Sequence, residues 1–588
     1  MGEASVRNTD CSTTRSNRVV ALAFLKHLAR RFHSEDHGAV AVLMGIMIAT
    51  LLLFSAFAID YSRFVNESMQ DSEALDASLI AGATEFRKTQ DKAAAIDRAK
   101  RVYLANRPDG SKADIESLVP DAATSQVSGN TNFNWKTTLL GAFGYKDVQM
   151  RSAAEVKYGR LSEVVLVIDN SAFVGADLEN FRAAGLNLKT ELMGYGESAG
   201  VKMGVVPFAG SVNVGPQYRY ADWMDQHAAV GFHRENYRTY LGAGAWLDPA
   251  EETATRFDLF DRLGETWAGC VEARSGAYKG NDLPPDTNIP GSLFVPMFAP
   301  DEPDAGRNPK APEPGQSYYN NYLEDYPQSD CPKEACVKQT GRGTCLEYAQ
   351  PAFTPEEWQE VSCKYAPGRL VSKNAISIGG RGLPVADFVT GPNFNCTSIP
   401  LQPLTTDSNA VANTLNAMRA SGGSNIAEGI LWGYRVLSPQ QPFTGGGDFD
   451  DESYQKFMIV LARGANWIEA FRDDLNNSIY TPWGYATLGD KGNEHAPSLK
   501  ARLNPESHTR QALTNAMDEL SRDACRTAAE KGVQVFTIGY QVSDPQMRSM
   551  LKYCAVHPEM YFEAETLDGL KDRLSTIASR ITRLHLTH

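Results

Sequence analysis

Glu163-Val-Val-Leu-Val-Ile-Asp169-Asn-Ser171 is a continuous apolar run that ends in an acidic loop. A strand with one wet face alternates apolar and polar residues. This run does not alternate, so it predicts a parallel strand buried on both faces. Just beyond it, the spacing predicts a helix over Asp177–Met193 and a second buried strand over Val201–Phe208, completing a βαβ unit.

The alternation stops at about 216. Residues 216–403 are rich in Pro, Gly, Asn and Asp and hold Cys270, Cys331, Cys336, Cys345, Cys363 and Cys396. A structureless loop of that length does not fit a compact domain, and Trp223, Trp246, Trp267 and Trp358 argue for a core rather than disorder. The segment reads as an inserted, disulfide-braced, irregular domain. From 404 the helices and strands resume. Helices are predicted over Asn409–Arg419, Ile426–Leu437, Thr509–Lys531, Gln546–Cys554 and Leu567–Arg583, with strands at Lys456–Ala462, Val533–Tyr540 and Met560–Glu563. Residues 160–215 and 404–588 are therefore two parts of one doubly wound α/β domain, split by the insertion.

Upstream, Gly38 to Ile59 is 22 residues without a charge. As a helix at about 1.5 Å per residue it would cross a bilayer core. A cleaved signal peptide is the competing reading, because Ala56-Phe57-Ala58 has the form of a cleavage site; the apolar run is longer than such peptides carry. Residues 1–37 hold six Lys/Arg, whereas the twenty residues after Ile59 hold only Arg63. That asymmetry predicts a cytoplasmic segment 1–37, a transmembrane helix 38–60 and an exported remainder. Residues 61–158 read as a stalk with a small α+β module. A helix over 61–88 continues the membrane helix, a second covers Lys92–Asn106, and 125–158 is β-like.

Net charge is −14 and the isoelectric point about 5.3. That balance argues against nucleic acid or an anionic lipid surface as the main partner. Of nine cysteines, eight lie beyond the apolar run, an even count that fits up to four disulfides in an oxidising compartment. Cys525 and Cys554, on consecutive helical segments, are the expected pair. Cys331, Cys336, Cys345 and Cys363 could instead form a zinc cluster, but the spacing is loose and no histidine accompanies it.

Three further stretches carry a resemblance. His37-Gly-Ala-Val-Ala-Val-Leu43, Ala58-Ile-Asp-Tyr61 and Asp76-Ala-Ser-Leu-Ile-Ala-Gly-Ala83 resemble the N-terminal region of TadG-like Flp (tight adherence) pilus-assembly proteins. Trp267–Arg274, Phe294–Asp301 and Gly429–Pro439 are similar to the central and C-terminal parts of that family. The resemblance spans about residue 30 to the end. It implies a von Willebrand factor A-type domain and a role in pilus assembly through other pilus-assembly or envelope proteins. It also implies a place in the bacterial inner membrane, with the bulk periplasmic. The pilin processing signal is missing, since Leu43 stands where a Glu would be.

A von Willebrand A domain holds Mg²⁺ with Asp-x-Ser-x-Ser, a Thr from a later loop and an Asp after the fourth strand. By resemblance this chain supplies Asp169, Ser171 and Ser424, but Phe173 replaces the second Ser and Arg463-Gly464 replaces the later Asp-Gly. Mg²⁺ wants about six oxygens in a tight octahedron. The degenerate site is therefore expected to hold no cofactor, with the Arg463 guanidinium on Asp169 in place of the ion; a weak ion completed by water is the alternative. Asp169, Phe173, Ser424 and Arg463 mark the expected partner-binding face.

No metalloprotease or phosphate-loop motif occurs, so no catalytic residues are assigned and no enzyme activity is expected. Asp448-Phe-Asp-Asp-Glu452 lacks a calcium-loop pattern and reads as a solvated acidic loop. His227 and His233 read as surface or core histidines. The expected function is non-enzymatic pilus assembly; a stand-alone surface adhesin binding through the insertion is the alternative.

Overall fold

A computed structural model of the chain describes residues 38–89, 91–107, 114–121, 126–157, 161–194, 200–248, 251–304, 319–370, 375–378, 386–470, 475–487 and 496–582. Residues 1–37, with their basic segment and Cys11, lie outside the described residues.

Helix α1 (Gly38–Thr89) runs 52 residues without a break, joining the apolar run and the stalk in one rod of about 78 Å. Among the described residues it is the one helix long and apolar enough to cross a membrane. Its first half is bare as far as Ser55, with Leu51 and Phe54 at 61% and 71% exposure, and Ala56 and Asp60 beyond that are buried. Its second half buries Leu75, Leu79, Ala83 and Phe86, spaced by about one turn, against Ala95 and Tyr103 of α2 (Lys92–Asn106). The same stripe packs on Ile115, Val127 and Val156 of an antiparallel sheet of β1 (Ile115–Asp121), β2 (Gln126–Lys136) and β3 (Asp147–Lys157). Strand β1 lies outside the span the sequence marked as β; it is seven residues long and carries Pro120, which disfavours a strand reading.

The main sheet contains β4 (Leu161–Asp169), followed by α3 (Leu178–Met193) and β5 (Val201–Phe208). Its later elements are β6 (Gln402–Thr405), α4 (Ser408–Ala417), α5 (Ile426–Leu437) and β7 (Tyr454–Ala462). They are followed by α6 (Arg510–Glu530), β8 (Gln534–Tyr540), α7 (Pro545–Cys554), β9 (Tyr561–Ala564) and α8 (Leu567–Thr582). The strand order is β6-β5-β4-β7-β8-β9. Only the edge strand β6 is antiparallel to its neighbour. Along β4 the side chains alternate between two cores, as a period of two demands. Val164, Leu166 and Ile168 meet α3, α4 and α8, while Val165 and Val167 meet α5, α6 and α7. Cover on both faces explains the unbroken apolar run.

The insertion is not a separate body. Trp223, Phe257, Trp267 and Phe294 share one core with Trp432 of α5 and Val165 of the sheet. Helix α5 is sandwiched between sheet and insertion, so all of its residues are buried, including Glu428 and Arg435. It approaches the sheet so closely that a Cβ on Gly433 would lie 2.5 Å from Val167. A second segment, residues 463–509, joins the insertion: Asn395 Nδ2 donates to the Tyr480 carbonyl at 2.9 Å and Ala273 N to that of Pro482 at 2.8 Å. Edge strand β6 begins at Gln402, just inside the span read as insertion.

Four disulfides join Cys270–Cys396, Cys331–Cys363, Cys336–Cys345 and Cys525–Cys554. The four cysteines weighed as a zinc cluster are thus spent in two disulfides.

Candidate functional site

The carboxyl ends of the parallel strands β4 and β7 lie side by side, where ligands bind in open α/β sheets. Asp169 ends β4 and is fully buried. Its Oδ1 accepts the Ser171 amide at 2.9 Å, and its Oδ2 accepts the amides of Arg463 and Gly464 at 3.0 and 2.9 Å. Burial raises its pKa above the usual carboxylate range, and hydrogen bonds from Ser171, Gly464 and Arg463 offset that only in part.

The loop before α5 closes on the same point. Ser424 donates its hydroxyl to the Gly464 carbonyl at 3.1 Å, and its own carbonyl accepts Trp467 N at 2.8 Å. Phe173 meets Trp467 edge to face, with ring centroids 5.8 Å apart. A Cβ on Gly464 would lie 2.9 Å from both Phe173 and Ser424. Only glycine lets the three loops meet this tightly.

Arg463 does not pair with Asp169 through its guanidinium. Nη1 donates to the carbonyls of Phe173 and Val174 at 2.6 and 3.0 Å and lies 3.2 Å from Asp177 Oδ2. Nη2 donates to Gln541 Oε1 at 3.2 Å. Backbone amides satisfy the buried carboxylate, which frees the guanidinium for the more exposed Asp177.

This donor set does not fit an octahedral Mg²⁺. Both Asp169 oxygens already accept amides, the Ser424 hydroxyl is engaged, and Phe173 brings a ring where an oxygen is needed, which leaves the buried, unpartnered Ser171 hydroxyl as one donor where about six are wanted. Among the described residues, no three His, Cys, Asp or Glu side chains are grouped to hold a metal. Asp169, Ser171 and Ser424 are fully buried and out of a partner's reach. Phe173 and Arg463 are partly exposed and, with Gln541, form the rim. Asp177, Gln541 and Trp467 escaped the sequence reading, because nothing local ties them to Asp169.

Elsewhere, Asp448, Asp450, Asp451 and Glu452 are exposed, and so is His227. His233 is a core residue: its Nδ1 lies 3.0 Å from Asp225 Oδ2, and its Nε2 accepts the Arg256 amide at 2.9 Å. Nearby, Glu272 stands between Arg256 and Arg502 at 2.7 Å from each, all three nearly inaccessible, with the Tyr480 hydroxyl as a further donor. This network pins the insertion to the 463–509 segment. It has no sequence signal.

Fold and site define a class: a doubly wound α/β domain with an antiparallel edge strand and a top face closed by its own loops, carried behind a long apolar helix. No family model and no curated protein matches the chain. Among solved structures it is similar to the vWF domain of the type V pili tip protein Mfa5 from Porphyromonas gingivalis, at 10% identity and a TM-score of 0.29, over 73% of this chain and 99% of that one. It is similar to the pilus adhesin SpaC from Lactobacillus rhamnosus GG in its open conformation, at 11% identity and a TM-score of 0.28, over 81% of this chain and 34% of SpaC. The third is the pilus adhesin RrgA from Streptococcus pneumoniae, at 10% and 0.30, over 79% of this chain and 48% of RrgA. The chain thus spans about a third of SpaC and about half of RrgA. Likenesses of this size carry no argument about activity or partners. The fold rests on the sheet's own order and strand directions.

Proposed function

We propose that the chain is a membrane-anchored, non-enzymatic component of tight-adherence (Flp) pilus assembly that works by protein–protein contact of its exported domain. The observation that carries this reading is helix α1, whose bare apolar half leads without a break into the packed module. The motifs that resemble the TadG-like family lie on that same helix. The charge asymmetry around the apolar run supports a single-pass inner-membrane protein with a cytoplasmic N-terminus, and the four disulfides support a periplasmic body. The von Willebrand A-like top face would act without Mg²⁺, through the rim of Phe173, Arg463 and Gln541 rather than the buried Asp169 and Ser424.

The test is to delete the chain and image cells by negative-stain microscopy, with a complemented strain as control. Loss of bundled surface fibres, restored on complementation, is the expected result. A second reading, a stand-alone adhesin, draws on the hairpin 336–348, which leaves Val337 and Leu346 61% and 60% exposed beyond the Cys336–Cys345 bridge. Persistent fibres with reduced surface attachment would favour it.

A further inference from the structure

The turn between β2 and β3 reads Thr137-Thr-Leu-Leu-Gly-Ala-Phe-Gly-Tyr-Lys146. Hairpin ends that face water are built from Gly, Pro, Asn, Asp and Ser. This one instead leaves Leu139, Phe143 and Tyr145 exposed at 39%, 47% and 69%, with Val148 at 38% just after it. The chain holds the turn in place. The Asp60 carboxylate, 1% exposed, accepts the amides of Thr138, Leu139 and Leu140 at 3.1, 2.8 and 2.7 Å, and Arg63 donates to the Thr138 hydroxyl.

Asp60 is the first charge after the apolar run of α1. One turn earlier, about 6 Å toward the apolar end, Ala56 is 5% exposed, whereas Phe54, Phe57 and Ile59 are exposed at 71%, 53% and 50%. Helix α1 packs against the 3-10 turn Leu140–Phe143. The apolar turn therefore lies beside the last turn of the apolar helix, level with the stacked rings of Phe57 and Tyr61. Exposed Lys136 and Lys146 flank it. Aromatic rings with lysines at their edge make up the belt that membrane proteins place at the headgroup level.

We propose that this turn is a second membrane contact. Leu139, Phe143 and Tyr145 seat in the headgroup–acyl boundary of the leaflet from which α1 emerges. The exported module then rests on the bilayer at two points instead of swivelling on one rod. The proposal rests on the reading of α1 as membrane-spanning, and its occupant is the phospholipid surface itself.

The experiment uses the full chain with Cys11→Ser, reconstituted into phosphatidylethanolamine/phosphatidylglycerol vesicles and never reduced. An environment-sensitive fluorophore is placed at Ala142→Cys in the turn, at Met47→Cys in the apolar helix or at Ser117→Cys on the sheet. Lipids with nitroxides at shallow or deep acyl positions serve as quenchers. The expected result is quenching at 142, stronger with the shallow nitroxide, quenching at 47, and none at 117. Adding Leu139→Asp and Phe143→Asp should abolish the quenching at 142 while leaving that at 47. Quenching at 47 with none at 142 overturns the proposal and leaves the anchor standing. No quenching at 47 overturns the anchor, and the proposal with it. A label at 142 that is blue-shifted in detergent with rising protein concentration, yet unquenched in vesicles, would assign the turn to a second copy of the chain and overturn the proposal.

Discussion

Arg463 Nη1 lies 3.2 Å from Asp177 Oδ2, and the guanidinium turns away from Asp169, the carboxylate it was expected to pair with in place of an ion. The cation ties the start of the helical segment after β4 to the end of β7. Arg463→Met removes this pair and two hydrogen bonds to carbonyls, and should cost about 1–2 kcal/mol, read as a lower urea midpoint. Arg463→Glu should cost more, since it sets a carboxylate beside Asp177 and two carbonyl oxygens. The methionine variant is the one to carry into partner-capture assays.

The incomplete donor set predicts that thermal unfolding of the purified region that follows the apolar helix is the same in EDTA and in millimolar Mg²⁺. An ion at 100 times its Kd would add about 2.7 kcal/mol. A rise of several degrees on adding Mg²⁺ would contradict the closed site.

Glu272 sits between two buried guanidiniums, 2.7 Å from each. Burial pushes its pKa up, and Arg256 and Arg502 outweigh that and hold it below the usual range. Glu272→Gln leaves both cations uncompensated and should cost about 3–5 kcal/mol. Replacing all three by Leu and Met should recover most of the loss, because breaking a buried pair costs more than omitting it. Urea titrations with an unchanged slope would measure both effects.

His233 has its pKa lowered, first by burial and then by the Arg256 charge, against the raising effect of Asp225. A folded pKa below the ordinary value of 6.5 means stability that is present in full above 6.5 and lost as pH falls through the folded value. Asp225 is held at about 2: burial opposes this, and hydrogen bonds from His233 and the amides of Ala229 and Val230 prevail. Its contribution is present above 3.8 and fades as pH falls through about 2. The urea midpoint should therefore drop between pH 7 and 5. His233→Gln should flatten that slope, whatever it does to the absolute midpoint.

Strands β4, β5, β7 and β8 and helices α1, α2 and α5 were legible in the sequence. Burial on both faces, or a stripe repeating every turn, leaves its mark on adjacent residues. The pairing of Cys525 with Cys554, whose Cα atoms lie 5.1 Å apart, was legible too. Only the tertiary structure decided that the insertion shares the sheet's core through Trp432, that Glu272 meets both Arg256 and Arg502, and that Arg463 chooses Asp177 over Asp169. Those relationships join residues that are far apart in the chain. Their energies depend on which groups burial has stripped of water and which backbone amides reach a buried carboxylate, and hydropathy along the chain records neither.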